Sequence, residues 1–117
     1  MKLAILDDDM ASLDYYALVI KRLNRDISYS LCSNESLFKQ SLALKPDLII
    51  ADVNLGNQNV IDIFEKHYDL IGDIPVILMS SVDDVFGVGT LLRNEGVNVI
   101  ETMQKPLNPS MLRSVLV

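Results

Sequence analysis

The chain has 117 residues, half of them apolar, with a net charge of −6 and a pI near 4.5. Its length suits one domain with a single core, and its acidity excludes a surface that grips nucleic acid or anionic lipid by charge. No apolar run approaches the about 18 residues of a membrane span, the N-terminus turns acidic where a secretory leader would be apolar, and the lone Cys32 excludes an internal disulfide and suits a reducing, cytoplasmic setting.

In chain order, short apolar runs alternate with longer segments of helical periodicity. Residues 3–6 (LAIL) predict a strand ended by Asp7, Asp8 and Asp9. Over 12–23, Leu13, Tyr16, Ala17, Ile20 and Leu23 recur at three- and four-residue spacing, the stripe of an amphipathic helix. A second strand is predicted over 27–32, then a helix from Glu35, capped by Ser33 or Asn34 and stopped before Pro46. The third strand covers 47–51 and is followed by an Asn/Gly loop and a helix over 60–70. Pro75 opens a fourth strand over 75–79, and 83–95 predicts a helix weakened by Gly87 and Gly89. A fifth strand covers 97–103, and Pro109 starts a last helix.

Five strands alternating with five helices give the pattern of a parallel sheet covered on both faces. The unbroken apolar runs of the third and fourth strands fit burial on both sides. Right-handed crossovers then lead to a doubly wound α/β sheet. No linker, charge block or repeat divides the chain, so residues 1–117 are read as one domain.

In such sheets ligands bind beyond the carboxyl ends of the strands. Those ends carry Asp7, Asp8 and Asp9, then Asp52, then Ser80 and Ser81, and finally Lys105 with Pro106. Crowded carboxylates hold their protons more tightly unless a cation lies among them. Lys105 alone cannot neutralise three, so a hard divalent cation with oxygen ligands is expected, and Mg²⁺ meets that description. Mg²⁺ beside a lysine and a hydroxyl suits a phosphoryl group.

The segments ILDDD (5–9), PDLIIADVNL (46–55), PVILMSS (75–81) and QKP (104–106) together resemble the receiver (CheY-like) domain of two-component response regulators. That resemblance implies a flavodoxin-like sheet of order 2-1-3-4-5 and names Asp52 as phosphoacceptor. It implies Asp8 as direct Mg²⁺ ligand, Asp7 as its water-mediated neighbour, and Asn54 as donor of a backbone carbonyl to the metal. Ser80 matches the switch hydroxyl that bonds the phosphoryl group, and Lys105 the lysine that pairs with it. The implied partner is a sensor histidine kinase or phosphotransfer protein. An output domain in cis and a homodimer are further expectations, with no direct contact to nucleic acid or membrane. Such a domain is a signalling phosphoacceptor that assists its own phosphorylation and dephosphorylation, not an enzyme turning over a substrate.

Three positions depart from the family's usual pattern. Val60 stands where glycine is common, with Gly56 where proline is, so the intervening loop is expected to take another path. Thr102 replaces the aromatic of the usual rotamer switch. The stretch 96–106 (GVNVIETMQKP) looks about two residues longer than usual between the glycine and Lys-Pro, and in this it is similar to receivers attached to cyclic-di-GMP phosphodiesterase (EAL) domains.

Two alternatives stand beside this reading. One is a degenerate receiver acting as a docking or dimerisation module. The other is a haloacid-dehalogenase-like phosphatase, with Asp7 of the D-x-D pattern as nucleophile and Asp9 as general acid. Asp9 also reads as an acidic residue at a helix start. His67 is expected at the surface, Cys32 in the core, and Tyr15 and Tyr16 divided between the two.

Overall fold

The five apolar runs form the strands of one sheet, and the amphipathic stretches between them supply its helices. The computed structural model describes residues 1–23, 26–56, 58–81 and 85–116. Its elements are β1 (Lys2–Leu6), α1 (Met10–Leu23), β2 (Ser28–Cys32), α2 (Glu35–Ala43), β3 (Leu48–Asp52) and the short β4 (Asn54–Leu55) and β5 (Gln58–Asn59). They continue with α3 (Val60–Lys66), α4 (Tyr68–Ile71), β6 (Val76–Ser80), α5 (Val85–Asn94), β7 (Val99–Gln104) and α6 (Pro109–Leu116).

Five strands pair in parallel in the order β2-β1-β3-β6-β7, the topology expected from the sequence once β4 and β5 are set aside as a separate antiparallel hairpin. Side chains of a strand alternate between its two faces. Leu3, Ile5, Leu48, Ile50, Ile77 and Met79 therefore pack on one side, with Leu13, Tyr16 and Ile20 of α1 and Leu112 of α6. Ala4, Leu6, Ile49, Ala51, Val76 and Leu78 pack on the other, with Phe38 and Leu42 of α2, Phe64 of α3 and Leu92 of α5. β3 and β6 are buried along their whole length, which is why their sequences carry no polar alternation. Cys32 is 1% exposed and lies in the second of these cores, as expected.

The predicted α2 cap is Asn34, whose side chain accepts a bond from the Leu37 amide at 2.9 Å. In α1, Leu13, Tyr16 and Ile20 are buried as their spacing predicts, whereas Ala17 and Leu23 are only half-buried and Val19 joins the core. The first two residues of the helix predicted over 83–95 lie outside the described residues.

Two expectations are corrected. The helix predicted over 60–70 is broken at His67, which separates α3 from α4. His67 is also buried rather than exposed: its Nε2 lies 2.9 Å from Glu35 Oε2 at the start of α2. The charged neighbours of His67 in the sequence point to solvent, but a carboxylate 32 residues away draws the ring inward.

β7 holds a further irregularity. Val76 pairs with Val99 but Ile77 pairs with Glu101, so Ile100 is an extra residue in the ladder. This bulge absorbs one residue of the long 96–106 segment and restores the phase that brings Gln104 opposite Ser80. Downstream of the bulge Thr102 faces α5. A side-chain carbon on Gly89 would come within 2.7 Å of the Thr102 methyl, so the helix seats directly on the strand there.

Gly89→Ala is therefore expected to lower stability by about 1–3 kcal/mol through overpacking, and Thr102→Ser in the same chain to recover most of that loss. Gly87, exposed in the same helix with open space around it, should instead gain about 0.5–1 kcal/mol as Gly87→Ala. Urea melts of the four chains test this; equal losses at both glycines would count against direct seating.

Candidate functional site

The strand alternation and register bring three charged side chains to one point. Leu6 is level with Ala51, so Asp7, just past the end of β1, and Asp52, the last residue of β3, stand side by side. Both continue the series Leu3, Ile5 and Leu48, Ile50, which places them on the α1 side of the sheet. Lys105 follows β7 two residues after Met103 of the same side, and its amide donates to the Ser80 carbonyl at 2.9 Å. From there its ammonium reaches Asp7 Oδ2 at 2.7 Å and Asp52 Oδ2 at 2.8 Å.

These pairs are largely withdrawn from water, with side-chain exposures of 18% for Lys105, 0% for Asp7 and 6% for Asp52. Asp52 also accepts on Oδ1 from the Asn54 amide at 3.1 Å. Burial raises the Asp52 pKa; the hydrogen bonds from Lys105 and the Asn54 amide pull it down, and the charge of Asp7 pushes it up again, leaving it above the usual carboxylate value. Burial pulls the Lys105 pKa down, but its bonds to Asp52 and Asp7 outweigh that, so the ammonium holds its proton more tightly than usual.

Asp8 is exposed at the rim, yet one oxygen from each of Asp7, Asp8 and Asp52 lies within 4.8 Å of the others. Three carboxylates facing one ammonium leave uncompensated negative charge on hard oxygen donors. That donor set fits a hard divalent cation such as Mg²⁺. Asn54, in β4, is at the same rim. Ser80 ends β6 fully buried; it continues the series Val76 and Leu78, which places it with Thr102 on the α5 side.

The loop between Asp52 and α3 takes a path of its own. The β4–β5 hairpin turns through Gly56 at a φ of 68°, a left-handed conformation that proline cannot adopt. A side-chain carbon at Gly56 would lie 2.9 Å from Asp8 Oδ2, so the hairpin closes against that carboxylate. Asn59 caps α3 by accepting from the Ile61 amide at 2.8 Å. Val60 is the buried first residue of that helix and needs no left-handed geometry.

Asp9 stands apart from the cluster. It caps α1, with Oδ1 accepting from the Ala11 amide at 3.2 Å and Oδ2 from the Ser12 hydroxyl at 2.9 Å. Tyr16 is a member of the site that the functional reading of the sequence missed. Its hydroxyl, in a ring 1% exposed, donates to Asp7 Oδ2 at 3.1 Å. Burial and then the charge of Asp7 raise its pKa, so the hydroxyl remains a donor. A usable signal was present: a tyrosine in an apolar helix stripe must find a partner for its hydroxyl, and the nearest strand end carries aspartates. Tyr15, the exposed member of the pair, lines an open cleft of about 490 Å³ beside Lys105 together with Ser12 and Pro106.

No family model matches the chain. It is 28% identical over 117 residues to the sensory transduction protein LytT of Bacillus subtilis, covering 99% of this chain and 46% of LytT. The chain thus spans about half the length of this curated relative. Among solved structures, the signal receiver domain of a DNA binding response regulator from Colwellia psychrerythraea superposes with a TM-score of 0.83 at 18% identity, over 99% of this chain and 94% of that one. A response regulator receiver domain protein from Clostridium thermocellum gives 0.81 at 16% identity, over 98% and 90%. The chain therefore has the fold of a response regulator receiver (CheY-like) domain along its whole length, as the four sequence segments implied.

The excess of buried negative charge has a measurable consequence without any ligand. Because the folded pKa of Asp52 exceeds its value near 3.8 in the unfolded chain, the native state binds more protons between those two values. This group thus favours folding below that window and opposes it as pH rises through it. In chelator at neutral pH, Asp52→Asn should raise the melting temperature, whereas Lys105→Met, which strands two buried carboxylates, should cost about 3–5 kcal/mol. A destabilised Asp52→Asn would contradict the charge balance described.

Proposed function

We propose that this receiver domain accepts a phosphoryl group on Asp52 from the phosphohistidine of a sensor histidine kinase or phosphotransfer protein, and switches an output in response. The observation that carries the reading is the seating of Asp52, with Oδ2 at 2.8 Å from the Lys105 ammonium and oxygens of Asp7 and Asp8 within 4.8 Å. Asp8 and Asp52 would hold Mg²⁺, with Asp7 contacting it through water and the Asn54 carbonyl completing the protein's share. When bound, the ion supplies charge neutralisation and a template for the phosphoryl oxygens.

The chain's own groups do the rest. An Asp52 oxygen attacks phosphorus as the phosphorus–nitrogen bond of the donor imidazole breaks. The bonding pair stays on that nitrogen, and the product is an aspartyl phosphate. A carboxylate is a modest nucleophile, so alignment and charge must lower the barrier. Lys105, fixed as a cation, offers its donors to the phosphoryl oxygens. The new charge and acceptor oxygens then draw the Ser80 hydroxyl. Ser80 and Thr102 share the α5 side of the sheet, so the movement would be read as a shift of α5 on β7 in place of a swinging ring. A cytoplasmic site of action follows from the donor.

The phosphatase alternative loses support because Asp9, its general acid, is engaged as the cap of α1. Incubation with acetyl phosphate and Mg²⁺, followed by trapping and mass spectrometry, separates all three readings. Modification of Asp52, abolished in Asp52→Asn, is the expected result. Modification of Asp7 would favour the phosphatase, and no modification the docking module. Ser80→Ala is expected to retain acceptance yet reduce the change in hydrogen exchange over α5 that beryllofluoride induces in the unaltered protein.

A further inference from the structure

Asp7 accepts three hydrogen bonds. Its Oδ1 accepts from the Asp9 amide at 2.9 Å, and its Oδ2 from Lys105 at 2.7 Å and from the Tyr16 hydroxyl at 3.1 Å. Lys105 is shared, because the same ammonium is 2.8 Å from Asp52. A phosphoryl group on Asp52 would place new anionic oxygens within reach of that ammonium and compete with Asp7 for it. Asp7 is 0% exposed, so bulk water cannot take the place of a lost donor. An unpaired buried carboxylate is costly.

We infer that Tyr16 is a positioning residue for the phosphoryl-transfer site: its hydroxyl holds Asp7 in place and paired while Lys105 is drawn to the phosphoryl group. This rests on the phosphoacceptor reading above. The hydroxyl is fixed for that task by the ring, which is wedged in the α1 stripe among Leu13 and Ile20 and cannot follow Lys105 away. Tyr15, its neighbour, donates to the Leu107 carbonyl at 3.3 Å and supplies a control with no contact of this kind.

The test compares the wild-type chain, Tyr16→Phe and Tyr15→Phe in Mg²⁺ titrations in the presence of beryllofluoride, followed by amide shifts of Asp8 and Asn54, at a temperature where circular dichroism shows all three folded. Tyr16→Phe keeps the ring and removes only the hydroxyl. Loss of a partner behind a metal ligand typically weakens the metal about 10- to 100-fold. Such a loss is expected in Tyr16→Phe, with Tyr15→Phe within about twofold of wild type on the same scale. A folded Tyr16→Phe with wild-type affinity overturns the inference and leaves the phosphoacceptor reading standing. A wild-type chain that gives no response to Mg²⁺ overturns both. A second measurement needs no variant: in wild type saturated with Mg²⁺ and beryllofluoride, the Tyr16 hydroxyl proton should remain protected from exchange, and its loss overturns the inference.

Discussion

The bridge of Lys105 between Asp7 and Asp52 is the interaction on which the carboxyl edge of the sheet depends. A single ammonium at 2.7 and 2.8 Å from two carboxylates cannot balance them, and Asp8 adds a third charge at the rim. Buried ion pairs recover their desolvation only with full neutralisation and good geometry. This one is left short of positive charge by composition. The shortage weakens the fold, and in the function proposed above the same shortage would draw a divalent cation and the phosphoryl group it accompanies. Stability and function draw on the same electrostatics with opposite sign.

Most of that arrangement was legible in the sequence because it follows from strand alternation. Apolar runs ending in Asp7 and Asp52 define two adjacent strand ends, and the two-residue period sends both aspartates to the side that α1 covers. What could not be read depended on contacts distant in sequence. His67 lies among charged residues and is buried only because Glu35 meets it. The β7 bulge at Ile100 leaves no residue-type signature, since a bulged strand and a longer loop share the same letters. Tyr16 lies between these cases: its burial was read, but the acceptor of its hydroxyl becomes evident only when α1 crosses the end of β1.

The departures at Gly56 and Val60 are one structural change. A proline at Gly56 would forbid the left-handed turn, and without that turn β4 and β5 could not pair. With the turn made, Gln58 reaches Glu35 at 3.1 Å, Asn59 caps α3, and Val60 can be a buried helical residue. The hairpin thus moves the glycine requirement from position 60 to position 56 and closes the loop with hydrogen bonds. Its turn is held against Asp8, where a methyl group would intrude on a carboxylate oxygen. Glu35 links the hairpin to His67, so the break between α3 and α4 belongs to the same set of contacts.

The two faces of the sheet also divide the work. Asp7, Asp52, Lys105 and Tyr16 gather on the α1 side, while Ser80 and Thr102 belong to the α5 side. In the function proposed above, a charge event on the first side would reach the second through Ser80, which ends β6 at the strand ends between them. Beyond it, Gly89 and Thr102 put α5 in direct contact with β7. A helix seated on a strand through a glycine and a methyl group has few rotamers in which to store a signal. In the function proposed above, a displacement of β7 or Ser80 would be passed to α5 through that close contact.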